Sequence, residues 1–158
     1  MLGEFRRIDF AVKSAVILFL FTQGEARRAV AEIKILVVED NEISMVLAHD
    51  LLKLRGYAVL KAYSAETAIQ LARAEMPATI VMDIGLPKMD GLTATGVLKA
   101  DPATAAIPVI ALTAHAMPGD EERVRAAGCD GYLSKPIDVR RFFEMVARFA
   151  GTAAAGAS

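Results

Sequence analysis

The sequence predicts an α/β domain, a doubly wound sheet of five parallel strands with helices on both faces. Three observations predict it. Short runs of valine, isoleucine and leucine recur without a polar alternation, as strands covered on both faces require. Between them lie segments with apolar residues at helical spacing. Glycine, proline or a capping residue punctuates most junctions. Right-handed crossovers then give one parallel sheet between two helical layers. The 158 residues suit one domain of ordinary size, and at 54% apolar they can bury a substantial core.

Ile33 to Val38 reads as the first strand, with Glu39-Asp40-Asn41 at its carboxyl end. The helix that follows places Ile43, Val46, Leu47, Leu51 and Leu54 on its apolar side, and Gly56 stops it. Tyr57 to Ala62 is the second strand. Ser64 caps a helix to about Glu75, with Ala68, Leu71 and Ala72 inward, before Pro77. Thr79 to Asp83 is the third strand, and Gly91 to about Ala100 the third helix. Pro108 precedes a fourth strand over Val109 to Leu112, and Thr113 to Met117 is a loop. Pro118-Gly119-Asp120 opens a fourth helix that closes at Ala126-Ala127-Gly128. Gly131 to Ser134 is the fifth strand. Asp138 caps a last helix with Val139, Phe142, Phe143, Val146 and Phe149 on its apolar side, and Gly151 to Ser158 is a tail.

The net charge is −1, with a pI near 6.1, which argues against nucleic-acid binding by bulk electrostatics. The single cysteine, Cys129, has no internal disulfide partner and reads as a small buried hydrophobe in a reducing compartment. Residues 1–32 do not fit the rest. Arg6 and Arg7, the run Ala15 to Phe21 and Ala29-Val30-Ala31 have the outline of a secretory signal. Lys13, Glu25, Arg27 and Arg28 spoil it, and the run is far shorter than the ~20 residues that span a bilayer. A start codon assigned too far upstream is the favoured explanation. A membrane-surface helix and a working signal are the alternatives. The domain itself is expected over residues 33–150, in the cytoplasm.

The polar residues at strand ends carry the chemistry. They are Glu39 and Asp40 after strand one, Asp83 at strand three, Thr113 after strand four and Lys135 after strand five. Parallel strands bring all five to one edge, where open α/β sheets place ligands. Crowded carboxylates repel, so a cation is needed. Mg²⁺ suits hard oxygen ligands, and a lysine ammonium supplies a compact counter-charge. Such a pocket can hold a phosphoryl group, with Asp83 as carboxylate nucleophile, Lys135 neutralising oxygen charge and the Thr113 hydroxyl donating a hydrogen bond. Singly, each has an ordinary use as a helix cap, loop hydroxyl or solvated charge.

The combination Val38-Glu39-Asp40-Asn41, Val81-Met82-Asp83 through Gly91, Ala111-Leu112-Thr113-Ala114 and Tyr132 through Ile137 resembles the receiver domain of bacterial response regulators. The resemblance implies the flavodoxin-like, CheY-like strand order 2-1-3-4-5 and phosphorylation of Asp83 by a sensor histidine kinase. It implies Asp40 as direct Mg²⁺ ligand, Glu39 as a second acid acting through water, and the Gly85 backbone carbonyl as a third contact. It also implies a cis bond at Lys135-Pro136, and Thr113 and Tyr132 as a switch pair, with a plain core tyrosine as the lesser alternative for Tyr132. Where this chain has Glu39-Asp40 the family often has two aspartates, which leaves the coordination by Glu39 open. His49-Asp50-Leu51-Leu52 and Thr113 through Arg123 further resemble the single-domain receivers of the alphaproteobacterial cell-division type. His115 borders the site, as a loop histidine or as a tuner of access.

Only a short tail follows residue 150, so the expected output is contact with other proteins through helix four, strand five and helix five. Expected partners are sensor histidine kinases or phosphatases, with a histidine phosphotransferase as a further candidate. Nucleic acid is not expected, and membrane contact is expected only through those kinases or the N-terminal segment. A Mg²⁺-dependent phosphohydrolase competes weakly, because its second acid two residues on is here Gly85. A nucleotide-binding domain lacks its glycine fingerprint. A receiver used only for docking, without phosphorylation, stays open.

Overall fold

The computed structural model describes residues 32–114 and 117–151. The extension before residue 32, His115 and the tail from residue 152 lie outside the described residues. Five strands form: β1 (Lys34–Val38), β2 (Ala58–Ala62), β3 (Thr79–Asp83), β4 (Val109–Thr113) and β5 (Gly131–Ser134). They alternate with α1 (Glu42–Leu54), α2 (Ala65–Glu75), α3 (Gly91–Ala100), α4 (Asp120–Ala126) and α5 (Val139–Ala150). All pairings are parallel, in the order β2-β1-β3-β4-β5.

Strand residues alternate between two cores. Leu36, Val38, Ile80, Met82, Val109 and Ala111 pack with α2, α3 and Val124 of α4. Ile35, Val37, Val81, Ile110, Leu112 and Leu133 pack with α1 and α5. Both faces are therefore covered, which is why the strands read as unbroken apolar runs. Side-chain caps start four helices: Asn41 accepts from the Ser44 amide, Ser64 from Thr67, Asp90 from Thr93 and Asp138 from Arg141.

Two expected faces are corrected. In α1 the buried residues are Met45, Ala48 and Leu52, with Leu51 half-buried. Ile43, Val46, Leu47 and Leu54 face outward, with Ile43 and Leu54 about four-fifths exposed. The helix is apolar nearly all round, so periodicity offers two stripes. The small Ala48 sits in the stripe that lies against the sheet. In α5, Phe142 and Val146 are buried and Phe143 and Phe149 pack against them, but Val139 at the first turn is exposed.

Opposite the carboxyl edge, one lysine ties three segments together. Lys99 Nζ donates to the Ala105 and Ile107 carbonyls at 3.2 and 2.8 Å and pairs with Asp130 Oδ2 at 3.0 Å. That same oxygen accepts from the Val109 amide at 2.9 Å. Cys129, next in line, is buried with its Sγ 3.7 Å from Thr95 Oγ1. Replacing Lys99 by Met leaves a half-exposed carboxylate and two carbonyls short of a donor. The expected cost is about 2 kcal/mol, read as a lower urea midpoint, with faster labelling of the Cys129 thiol in native buffer. An unchanged midpoint and labelling rate would show the tie to be dispensable.

Candidate phosphoryl and metal site

Sheet register sets the site. Val38 pairs with Met82, Asp83 with Leu112 and Thr113 with Ser134. Ladder bonds continue past the strand ends, with Glu39 N–H donating to the Ala62 carbonyl, Ile84 N–H to Leu112 and Lys135 N–H to Thr113. Glu39, Asp83, Thr113 and Lys135 are thereby fixed at one level of the carboxyl edge. The Lys135-Pro136 bond is cis.

Glu39, Asp40 and Asp83 each offer a carboxylate oxygen within 4.8 Å of the others. Glu39 and Asp83 are buried, whereas Asp40 is exposed. Asp83 Oδ1 accepts from the Gly85 amide at 3.0 Å, and Glu39 Oε1 from the Asn41 amide at 3.1 Å. Lys135 Nζ lies 2.7 Å from Glu39 Oε2 and 3.4 Å from Asp83 Oδ2. Three carboxylates against one ammonium leave two negative charges. All three donors are hard oxygens and one stands open to solvent, a set that fits a divalent cation keeping several waters.

Burial pushes the Glu39 carboxyl above its ordinary 4.5, assisted by the neighbouring Asp83 charge and opposed by the hydrogen bonds from Lys135 and Asn41. Burial alone would lower Lys135, but its bond to Glu39 and the charges of Asp83 and Glu39 more than offset it and raise it above 10.5.

The two residues expected to act as a switch lie on neighbouring strands. Thr113 is buried at the end of β4. Tyr132 is half-buried on β5, level with Ala111, and packs on the α2–α4 side of the sheet. Gly85 is exposed beside Asp83. Two features escaped the sequence. One is that Lys135 pairs with both buried acids, more closely with Glu39 at 2.7 Å than with Asp83 at 3.4 Å. The other is Gly91, the first residue of α3, whose amide donates to the Ile84 carbonyl at 3.1 Å. A Cβ there would overlap the carbonyl oxygen of Asp83 and lie 2.9 Å from the Ile84 Cα. A glycine just inside a helix start was the only signal available.

Comparisons with known proteins agree with this architecture. Residues 35–147 match the response regulator receiver domain family. The polar-differentiation response regulator DivK of Brucella ovis is 48% identical over 119 residues, covering 75% of this chain and 97% of that protein. DivK of Brucella anthropi is 47% identical over the same length. Among solved structures, the receiver domain of sensor histidine kinase PA1611 from Pseudomonas aeruginosa superposes with a TM-score of 0.71 at 34% identity, covering 77% of this chain and all of that one. That structure carries a magnesium ion coordinated in its active-site cleft. A CheY-like receiver from Methanospirillum hungatei gives 0.68 at 25% identity, covering 75% and 93%.

Two outcomes are expected. A carboxyl-carbon NMR titration should place the Glu39 midpoint above 4.5. A raised folded-state value means that stability rises as pH falls through that midpoint, the reverse of an ordinary paired carboxylate. A midpoint at or below 4.5 would mean that the ion pair outweighs burial. Gly91→Ala should lower stability on the order of 2 kcal/mol and displace the Asp83 segment, seen as shifted Ile84 and Gly85 amide resonances. Unshifted resonances would show that the backbone accommodates the methyl group.

Proposed function

The chain belongs to the response regulator receiver family, and from that membership we propose that Asp83 accepts a phosphoryl group from a histidine kinase. The protein is a signalling switch of a two-component system. One observation carries the phosphorylation proposal: three carboxylates meet within 4.8 Å while Lys135 reaches 3.4 Å from Asp83.

The chemistry follows from the side chains. Asp83 Oδ2 attacks phosphorus in line, the oxygen–phosphorus bond forms, and the donor histidine's nitrogen–phosphorus bond breaks with its electron pair returning to the ring. The proposed holders of Mg²⁺ are Asp40, Asp83, Glu39 and the Gly85 carbonyl. When bound, the ion supplies positive charge to the carboxylates and the phosphoryl oxygens. Lys135 neutralises oxygen charge, and the Thr113 hydroxyl donates to it. Extra charge and acceptor oxygens on Asp83 then draw Thr113 and Lys135 inward, and Tyr132 follows into the space that Thr113 leaves. The face built from α4, β5 and α5 reports the state to protein partners, proposed to be kinases and phosphatases of the same relay.

Similarity to DivK supports a role in cell-cycle or polar-differentiation control. The receiver is proposed to span residues 33–150, and the family match over 35–147 supports those bounds. No helix among the described residues is long and apolar enough to cross a membrane. The proposed setting is the cytoplasm, where the buried free Cys129 stays reduced.

Phosphate-affinity electrophoresis after incubation with acetyl phosphate and Mg²⁺ tests the proposal. The wild-type protein should show a slowed band, and both Asp83→Asn and a chelated sample should lack it. Equal mobility in all three would overturn phosphorylation and leave a docking-only receiver.

A further inference from the structure

Two consecutive residues just before β5 hold α3 at two points. Asp130 Oδ2 pairs with Lys99 Nζ in the last turn at 3.0 Å. Cys129 brings its Sγ to 3.7 Å from Thr95 Oγ1, one turn nearer the helix start. Thr95 in turn donates its hydroxyl proton to the Gly91 carbonyl at 2.8 Å. Gly91, Thr95 and Lys99 are spaced by four residues and so line one face of α3. Thr95 is fully buried, and its inward neighbours Ala94 and Leu98 are apolar. A hydroxyl in such a place is costly unless it is bonded, and a valine would fill the same space. Here the hydroxyl is bonded at both ends, accepting from the thiol, a weak donor, and donating to the carbonyl.

The carbonyl it holds belongs to the residue that lies against Asp83. A Cβ on Gly91 would overlap the Asp83 carbonyl oxygen, and the Gly91 amide donates to the Ile84 carbonyl at 3.1 Å. The depth of the first turn of α3 therefore sets the backbone from which the Asp83 carboxylate projects. Resting on the phosphorylation proposed above, we propose that Thr95 is a positioning residue for Asp83, its hydroxyl holding the first turn of α3 at the depth that aims the carboxylate at phosphorus. Thr95 takes no part in the bond changes. A threonine hydroxyl bonded to the carbonyl four residues back bends a helix locally, which is how a side chain one turn away adjusts the Gly91 contact.

Thr95→Val keeps the shape and removes the hydroxyl, and Thr95→Ser keeps the hydroxyl. Val146→Ala loosens the core on the other face of the sheet and serves as a control for general destabilisation. Three quantities are measured: the urea midpoint, the Ile84 and Gly85 amide resonances, and the initial rate of phosphorylation by acetyl phosphate at saturating Mg²⁺. Misplacement of reacting groups by about 1 Å can cost a hundredfold in rate, so a smaller displacement in Thr95→Val should slow the reaction about tenfold. Both resonances should shift with it. Thr95→Ser should keep the wild-type rate and resonances, and Val146→Ala should lower the midpoint while leaving both unchanged. Cys129→Ala, which removes the donor behind the hydroxyl, should move the same two resonances by a smaller amount. A wild-type rate in Thr95→Val, a slowed rate with the resonances unmoved, or equal slowing in Val146→Ala overturns the positioning role. Failure of the wild-type protein to take up phosphate, or uptake by Asp83→Asn, instead overturns the phosphorylation on which that role rests.

Discussion

Everything at the carboxyl edge depends on a charge imbalance. Two buried carboxylates share a single ammonium, and an exposed third lies within 4.8 Å of both. Burial of like charges is costly, and the raised Glu39 pKa records that cost. The fold tolerates it because each buried acid has a directed partner. Glu39 receives an amide and an ammonium, and Asp83 receives an amide. No buried side-chain polar atom among the described residues lacks a hydrogen-bond partner. The remaining negative charge is the functional content, since it makes the pocket attractive to a divalent cation without collapsing the structure around it.

The sheet makes the imbalance possible. Parallel strands deliver their ends to one edge without any loop having to travel. Amide bonds from Glu39, Ile84 and Lys135 extend the ladder one residue beyond the strands and fix the site residues as rigidly as strand residues. Gly91 lets the first turn of α3 press against the backbone that carries Asp83. Glu39 and Asp83 are thus each held by a main-chain amide, and the proposed movement falls to Lys135, Thr113 and Tyr132.

Much of this was legible in the residues. β3, α3 and β5 fall on the bounds that glycine, proline and capping signals mark, because those signals act locally through backbone preference. Ser64 and Asp138 cap their helices for the same reason. The phase of α1 was not legible. Ile43, Val46, Leu47 and Leu54 form a stripe as apolar as the one the sheet covers, and only tertiary contact chooses between them. The seat of Lys135 was hidden for a related reason. Alignment of strand ends predicts that the ammonium reaches the acids, but whether it lies closer to Glu39 or to Asp83 turns on 0.7 Å, the difference between 2.7 and 3.4 Å. That is a matter of side-chain torsion angles, which a pattern of residue types does not encode.

The two edges of the sheet are built for opposite ends. At the amino edge, Lys99 and Asp130 bind the end of α3, the start of β4 and the start of β5 into one hydrogen-bonded knot. At the carboxyl edge, α4 starts from Gly119 with a positive φ and no side-chain cap, and along its length only Val124 is buried. A helix held by a single buried side chain offers little resistance to movement. Thr113 lies just upstream of that helix. The phosphoryl group proposed for Asp83 would therefore arrive at the edge where α4 is lightly held, and not at the edge that Lys99 and Asp130 tie together.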